Sequence, residues 1–129
     1  MRIIIPVISL EKGGGTRLLH EIGSGLADYG HDVCFVVPQG NRFEYPVRAR
    51  VVRVPRLVPE HMPAGDVVLP NFYPTVYSAL SGRGMPARLC LSYEPLFVAD
   101  TAAARQTYDI PMPILAISDW LRRILLDHA

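Results

Sequence analysis

The sequence predicts an α/β protein built on a doubly wound, mostly parallel sheet with helices on both faces. Short apolar runs rich in β-branched residues, such as RIIIPVIS at 2–9, are typical of strands buried on both faces. These runs alternate with stretches of helical periodicity, and strands separated by helices form parallel crossovers. Half of the 129 residues are hydrophobic, which is enough for the core of one domain.

Six strands are predicted in chain order, at 2–9, 31–37, 47–54, 66–70, 88–92 and 113–118. The first helix is expected over 16–29, with Leu18, Leu19, Ile22 and Leu26 on one face. Gly30 is expected to stop it. A short helix is predicted at 75–81, a helix or irregular turn at 96–108, and a last helix at 119–127 with Ser118 as its N-cap.

Three residues inside these elements carry expectations of their own. Pro6 lacks an N–H, so a bend or bulge is expected in the first strand. Gly23 and Gly25 weaken the first helix, which suits a helix lying close to another element.

Composition excludes several functional classes. Thirteen basic residues against 12 acidic ones give a net charge of +1, and we expect no nucleic-acid partner. The apolar runs are too short to span a bilayer, and Glu11 and Lys12 interrupt any signal-peptide pattern. Cys34 and Cys90 each lie in an apolar run, so free thiols and a reducing cytoplasm are expected.

The glycine turn Gly13, Gly14 and Gly15 stands between the first strand and the first helix. Ligands of doubly wound sheets collect at the carboxyl ends of the strands. A helix that opens on glycines there presents bare backbone N–H groups and a positive dipole end, and this combination binds phosphate. A tight turn that only packs the helix is the alternative interpretation.

Three phosphate-binding motifs fit the turn poorly. In a dinucleotide fingerprint Gly13 and Gly15 match, but Leu18 occupies the third glycine position and the second strand ends at Gln39 without an acid. A P-loop needs its lysine after the glycines, whereas Lys12 precedes them. A phosphorylated receiver domain needs an acid at the end of the third strand, where Arg56 stands.

Residues 1–38 resemble the opening of the retaining GT-B-fold glycosyltransferases, in which a first strand runs into a glycine loop and a helix. In that family the helix is followed by Leu-Ala, a variable pair, Gly-His, a charged residue and Val. This motif is matched in order by Leu26, Ala27, Gly30, His31, Asp32 and Val33. The segment ILAISDWLRRIL is similar to the family's late strand and helix. The resemblance implies a Rossmann-like fold for the whole chain.

The resemblance also implies an organisation and an activity. GT-B enzymes have two Rossmann-like domains, and residues 1–129 correspond to the N-terminal, acceptor-side one. The donor-binding C-terminal domain of the same protein, with its paired glutamates, is absent from this chain. The expected reaction moves a sugar from a nucleotide diphosphate to a glycan or lipid-linked hydroxyl, with retention and without metal or other cofactor. We expect the isolated chain to be inactive.

The resemblance assigns the donor diphosphate to the loop of Gly13, Gly14, Gly15 and Thr16. Tyr93 and Glu94 follow the fifth strand in a Tyr-Glu-Pro similar to that of some bacterial polysaccharide glycosyltransferases, and they are the catalytic candidates. A loop-capping Glu94 beside a packed Tyr93 is the alternative. The acceptor-side candidates also follow strands; they are Asn71, Tyr73, Ser118 and Asp119. For the first two, a plain turn is the alternative.

The remaining charged and histidine residues give weaker indications. Peripheral contact with an anionic membrane or lipid diphosphate is one interpretation of the basic stretch Arg42, Arg48, Arg50, Arg53 and Arg56; a solvated edge strand is the other. No histidines have metal-ligand spacing, and His61 and His128 are expected to be exposed. A non-catalytic nucleotide- or phosphometabolite-binding module and an interaction domain are the functional alternatives.

Overall fold

The computed structural model describes residues 1–8, 14–41 and 47–128. The strands are β1 (Arg2–Pro6), β2 (Asp32–Pro38), β3 (Arg50–Val54), β4 (Val67–Val68), β5 (Met85–Pro86), β6 (Arg88–Cys90) and β7 (Ile114–Ala116). The helices are α1 (Gly14–Asp28), α2 (Thr101–Thr107) and α3 (Asp119–His128). Short 3₁₀ helices cover Pro59–His61, Tyr73–Thr75, Tyr77–Ala79 and Glu94–Leu96.

The strands form a parallel sheet in the order β3-β2-β1-β4-β5, and β6 and β7 form a second parallel pair. Backbone bonds from Ala87 N to Val68 O and from Leu89 N to Pro70 O join this pair to the β4 edge. The predicted α/β class with a parallel, Rossmann-like sheet is therefore confirmed. It follows that the carboxyl ends of β1, β4 and β6 lie at one edge.

Two apolar clusters bury the faces of the sheet. On one face α1 packs Leu19, Ile22 and Leu26 against β1 and β2, as its periodicity predicts. On the opposite face Met62 and Ala79, which belong to or adjoin 3₁₀ helices, cover Ile4 and Val68. Cover on this second face therefore comes from single 3₁₀ turns within the described part of the chain.

The glycines and the proline of the first two elements behave in different ways. Gly30 has φ of 92° after α1, so the predicted stop is confirmed. Gly23 lies against the Phe35 ring, which leaves no room for a Cβ, whereas Gly25 faces open space. Only Gly23 therefore has the packing reason that we expected of both. Pro6 pairs with Val36 in unbroken register, so of the expected bend or bulge the bulge is absent.

Several boundaries differ from the prediction. In place of the helix predicted at 75–81, the chain forms 3₁₀ turns at Tyr73–Thr75 and Tyr77–Ala79. The buried hydroxyl groups of Thr75 and Ser78 donate to nearby backbone carbonyls there. The predicted fifth strand is preceded by the short β5. Among the residues that the structure describes, none of the helices could span a lipid bilayer.

Candidate functional site

A cavity of about 430 Å³ opens at the carboxyl ends of the central strands. It lies between the end of β1, the first turn of α1, and the loops that follow β4 and β6. Four of the predicted site residues line it: Gly15, Thr16, Asn71 and Glu94. Rossmann-like sheets bind their ligands in this position, so the cavity is the candidate functional site.

The start of α1 forms one side of the cavity. Gly14 is the first helical residue, and Gly15 has nothing within 4 Å of the position that a Cβ would occupy. The helix dipole is positive at this end of α1. The geometry at the start of α1 therefore suits an anion. Gly13, the first glycine of the predicted loop, lies outside the described residues.

Asn71 joins the ends of β1 and β4. Its Nδ2 donates to Pro6 O at 2.8 Å and to Leu69 O at 3.2 Å, and its Oδ1 accepts from Phe72 N at 3.0 Å. Only 5% of the residue is exposed. Its polar atoms thus hold the turn together, as the turn interpretation anticipated; a role toward an acceptor stays a prediction.

Glu94 is buried at the centre of a hydrogen-bonded cluster. Its Oε2 accepts from Arg88 Nη2 at 2.8 Å and from Tyr108 Oη at 2.6 Å. Its Oε1 accepts from the backbone N–H of Tyr73 at 2.5 Å. The carboxylate therefore fastens the loop after β4 to β6 and to the residue after α2. Glu94 therefore caps the loop, which was the alternative to a catalytic role. A catalytic role for Glu94 stays a prediction.

Arg88 and Tyr108 complete that cluster. The Arg88 guanidinium lies 3.9 Å from the centroid of the Tyr108 ring and donates to Thr107 Oγ1 at 2.9 Å. Its Nε is buried without a hydrogen-bond partner among the described residues. Burial, together with the hydrogen bond to the Glu94 carboxylate, raises the pKa of Tyr108 above its usual value. Tyr108 therefore stays protonated and donates to Glu94.

Tyr93 takes part in a second cluster, outside the cavity lining. Its Oη lies 3.0 Å from His128 Nδ1, and His128 Nε2 lies 3.1 Å from Asp109 Oδ1. Its ring packs on Tyr108 with centroids 5.2 Å apart. Only 9% of the His128 side chain is exposed, so the expectation of an exposed histidine was wrong. The ring is covered because α3 returns to the loop after β6.

The other predicted residues lie away from the cavity lining. Ser118 Oγ accepts from Leu121 N at 3.1 Å, which confirms its N-cap role, and Asp119 is an exposed residue in the first turn of α3. Tyr73 is half-buried with its ring 5.1 Å from that of Phe72. The structure therefore brings Gly15, Thr16, Asn71 and Glu94 together at one cavity, and the lining does not include Tyr73, Tyr93, Ser118 or Asp119.

The basic stretch lies on and around the edge strand β3. Arg48 Nη2 is 2.7 Å from Asp28 Oδ2, and Arg50 Nη2 is 2.9 Å from Asp32 Oδ1. The hydrogen bond from Arg48 lowers the pKa of Asp28. Hydrogen bonds from Arg2 and Arg50 lower the pKa of Asp32. Membrane contact stays a prediction, Arg42 lies outside the described residues, and Arg53 and Arg56 are exposed.

The described residues contain no group of three or more His, Cys, Asp or Glu that could hold a metal ion. Cys34 and Cys90 are free and buried, as expected. The cluster members that sequence reasoning missed are Arg88, Thr107 and Tyr108. The available signal was the arginine inside the apolar strand RLC, because a charge at such a position needs a buried counter-charge.

A comparison of the sequence with models of known protein families and with curated proteins finds no match.

Proposed function

We propose that this chain is the acceptor-side domain of a retaining glycosyltransferase. The reaction moves a sugar from a nucleotide diphosphate donor to a hydroxyl of a glycan or lipid-linked acceptor. The observation that carries the proposal is the cavity at the carboxyl ends of β1, β4 and β6, where α1 begins with Gly14 and Gly15. The sequence resemblance in residues 1–38 and 114–125 supports it.

In this proposal the first turn of α1 faces the donor diphosphate. Negative charge grows on the leaving diphosphate as the bond to the sugar breaks. Backbone N–H groups fixed at a helix N-terminus stabilise such charge without reorganising. Gly15 leaves the approach unobstructed, since no side chain projects from it. The nucleotide itself is held mainly by the second Rossmann-like domain of the same protein.

Glu94 positions the acceptor side of the cavity in this proposal. Its bond to Tyr73 N joins the loops after β4 and β6, and its bond to Tyr108 Oη ties them to the end of α2. A catalytic base must reach the proton that it removes, and a carboxylate committed to these three donors first has to release one of them. We therefore propose that Glu94 acts by positioning the loops around the acceptor.

A binding module without transferase activity is the second candidate. The observation that favours it is the same helix N-terminus, which fits any phosphate-bearing metabolite. The two candidates differ in ligand preference. A dinucleotide-binding module responds to NAD, whereas the transferase domain responds to nucleotide sugars.

The test is an NMR titration of ¹⁵N-labelled chain with uridine, guanosine and thymidine diphosphate sugars and, separately, with NAD. We expect weak, saturable shifts of the Gly14, Gly15 and Thr16 amide signals with at least one nucleotide sugar. Shifts with NAD alone, or no saturable shift at these amides, would overturn the proposal.

A pair of glycine variants gives the matched control. Gly15→Ala places a methyl group at the cavity, and Gly25→Ala places the same group in open space on the same helix. Neither substitution creates a clash, so both variants should fold. We expect Gly15→Ala to weaken nucleotide-sugar binding and Gly25→Ala to leave it unchanged. Equal affinities for both variants would contradict a phosphate site at the start of α1.

A further inference from the structure

The walls of the cavity at the carboxyl ends of the strands are mainly apolar. The apolar side chains that line it are Val7, Ile8, Leu19, Phe72, Leu91 and Phe97. Its volume of about 430 Å³ lies within the range of small-molecule sites. Such walls gain free energy by covering apolar groups of a ligand, not hydroxyl groups.

The two polar side chains with the largest hydrogen-bonding capacity in this lining are engaged within the protein. Asn71 uses Nδ2 for Pro6 O and Leu69 O, and Oδ1 for Phe72 N. Glu94 uses both carboxylate oxygens for three donors. A sugar ring bound beside these two side chains would gain few hydrogen bonds from them, and burying its hydroxyls there costs free energy.

The mouth of the cavity is apolar as well. Phe97 is 63% exposed and Ile8 is 37% exposed, although both line the cavity. Large apolar side chains grouped at the entrance of an apolar cavity mark a binding surface for an apolar group.

We infer that this cavity binds the apolar portion of a small amphiphilic acceptor, whose reacting hydroxyl faces the donor at the start of α1. The inference rests on the proposed function and narrows its acceptor to hydroxyl compounds that carry an alkyl, prenyl or aromatic group. An unsubstituted glycan lacks the group that fills the cavity.

The test compares two probes that share one sugar head. Methyl-labelled chain is titrated with octyl β-D-glucopyranoside below its critical micelle concentration, and with methyl β-D-glucopyranoside. We expect the octyl compound to shift the methyl signals of Val7, Leu19 and Leu91 in a saturable manner, and the methyl compound to leave them in place. Equal shifts with both probes would show that the sugar is what binds and would overturn the inference.

Nonspecific adsorption has its own control. Leu115, Ile117 and Leu126 are exposed and lie outside the cavity lining. If their methyl signals move with the octyl compound as strongly as those of Leu19 and Leu91, the cavity is not a specific site and the inference fails.

Two aromatic variants complete the test. Phe97→Ala removes the ring at the mouth, and Tyr77→Ala removes a ring that is 50% exposed outside the lining. Both sites are exposed, so both variants should fold. We expect octyl glucoside to bind about five-fold more weakly to the Phe97 variant and with unchanged affinity to the Tyr77 variant. Unchanged binding by both would contradict the assignment.

The two binding experiments fail independently. Nucleotide sugars are read at the amides of α1, whereas the amphiphile is read at the cavity methyl groups. Shifts from octyl glucoside without any from nucleotide sugars would leave an apolar site but remove the proposed transferase. The reverse result would keep the transferase and refute the amphiphilic acceptor.

Discussion

The guanidinium of Arg88 and the carboxylate of Glu94 form an ion pair of 2.8 Å in which the two side chains are only 1% and 2% exposed. The pair joins β6 to the 3₁₀ helix that follows it, and Glu94 also lines the candidate cavity. Removing one partner of such a pair leaves the other charge buried without compensation. The pair should therefore dominate the stability of this edge of the sheet.

Glu94→Gln is expected to lower the free energy of unfolding by about 3–5 kcal/mol, because Arg88 loses its buried counter-charge. Urea unfolding followed by circular dichroism measures the change. The double variant Arg88→Met/Glu94→Gln removes the orphaned charge and should regain part of that loss. A double variant no more stable than Glu94→Gln alone would show that the ion pair is not the cause.

The glycines of α1 should respond to alanine in opposite directions. At Gly23 a Cβ would clash with the buried Phe35 ring, so Gly23→Ala should destabilise the protein by about 1–3 kcal/mol. At Gly25 the space is open, and Gly25→Ala should stabilise the helix by up to about 1 kcal/mol. Thermal unfolding of both variants measures the difference. Equal midpoints would contradict the close contact between α1 and β2.

Tyr93 and His128 should behave as one coupled pair. Tyr93→Phe and His128→Ala each remove the 3.0 Å contact that ties the end of α3 to the loop after β6. Each should cost about 1 kcal/mol, and the double variant should cost less than the sum. Hydrogen exchange of the α3 amides should speed up in both single variants. Strict additivity would show that the contact contributes no coupling.

Stability should fall as pH rises above about 9. Burial raises the pKa values of the Cys34 and Cys90 thiols and of the Tyr108 phenol. The folded chain therefore keeps protons that the unfolded chain releases at its ordinary thiol and phenol pKa values, about 8.5 and 10. The stability that these three groups contribute is therefore intact below those values. Above them, the free energy of unfolding falls by at most about 1.4 kcal/mol per pH unit for each group.

Tyr108→Phe isolates the phenol in this alkaline transition. The variant should show a shallower loss of stability above pH 10 in urea unfolding, although its stability at pH 7 is lower without the bond to Glu94. Tyr29→Phe is the control, since Tyr29 is 87% exposed. A slope that both substitutions leave unchanged would refute the role of Tyr108.

The sequence predicted the fold class well because β1, α1 and β2 carry strong periodic signals. Leu19, Ile22 and Leu26 pack as their spacing indicates, and Gly30 has the positive φ expected of a helix stop. The segment 73–79 was harder, because its 3₁₀ turns depend on Thr75 and Ser78 bonding to nearby carbonyls. Local hydrogen bonding of this kind leaves no periodic pattern.

The site was predictable only in part. Strand ends are visible in the sequence, so Gly15, Asn71 and Glu94 were identified and do line one cavity. The partners of Glu94 were not, because Arg88 and Tyr108 meet it only through tertiary packing of β6 with the end of α2. His128 was expected to be exposed for the same reason: its cover comes from α3 folding back on Tyr93.

Sugar transfer with retention is the central claim, and the anomeric configuration of the product tests it most directly. A protein that joins residues 1–129 to the proposed donor-binding domain is incubated with nucleotide diphosphate sugars and an alkyl glycoside acceptor, and the anomeric proton coupling of the product is read by NMR. We expect the donor's configuration in the product, and no product from residues 1–129 alone. An inverted product, or transfer by residues 1–129 alone, would contradict the account.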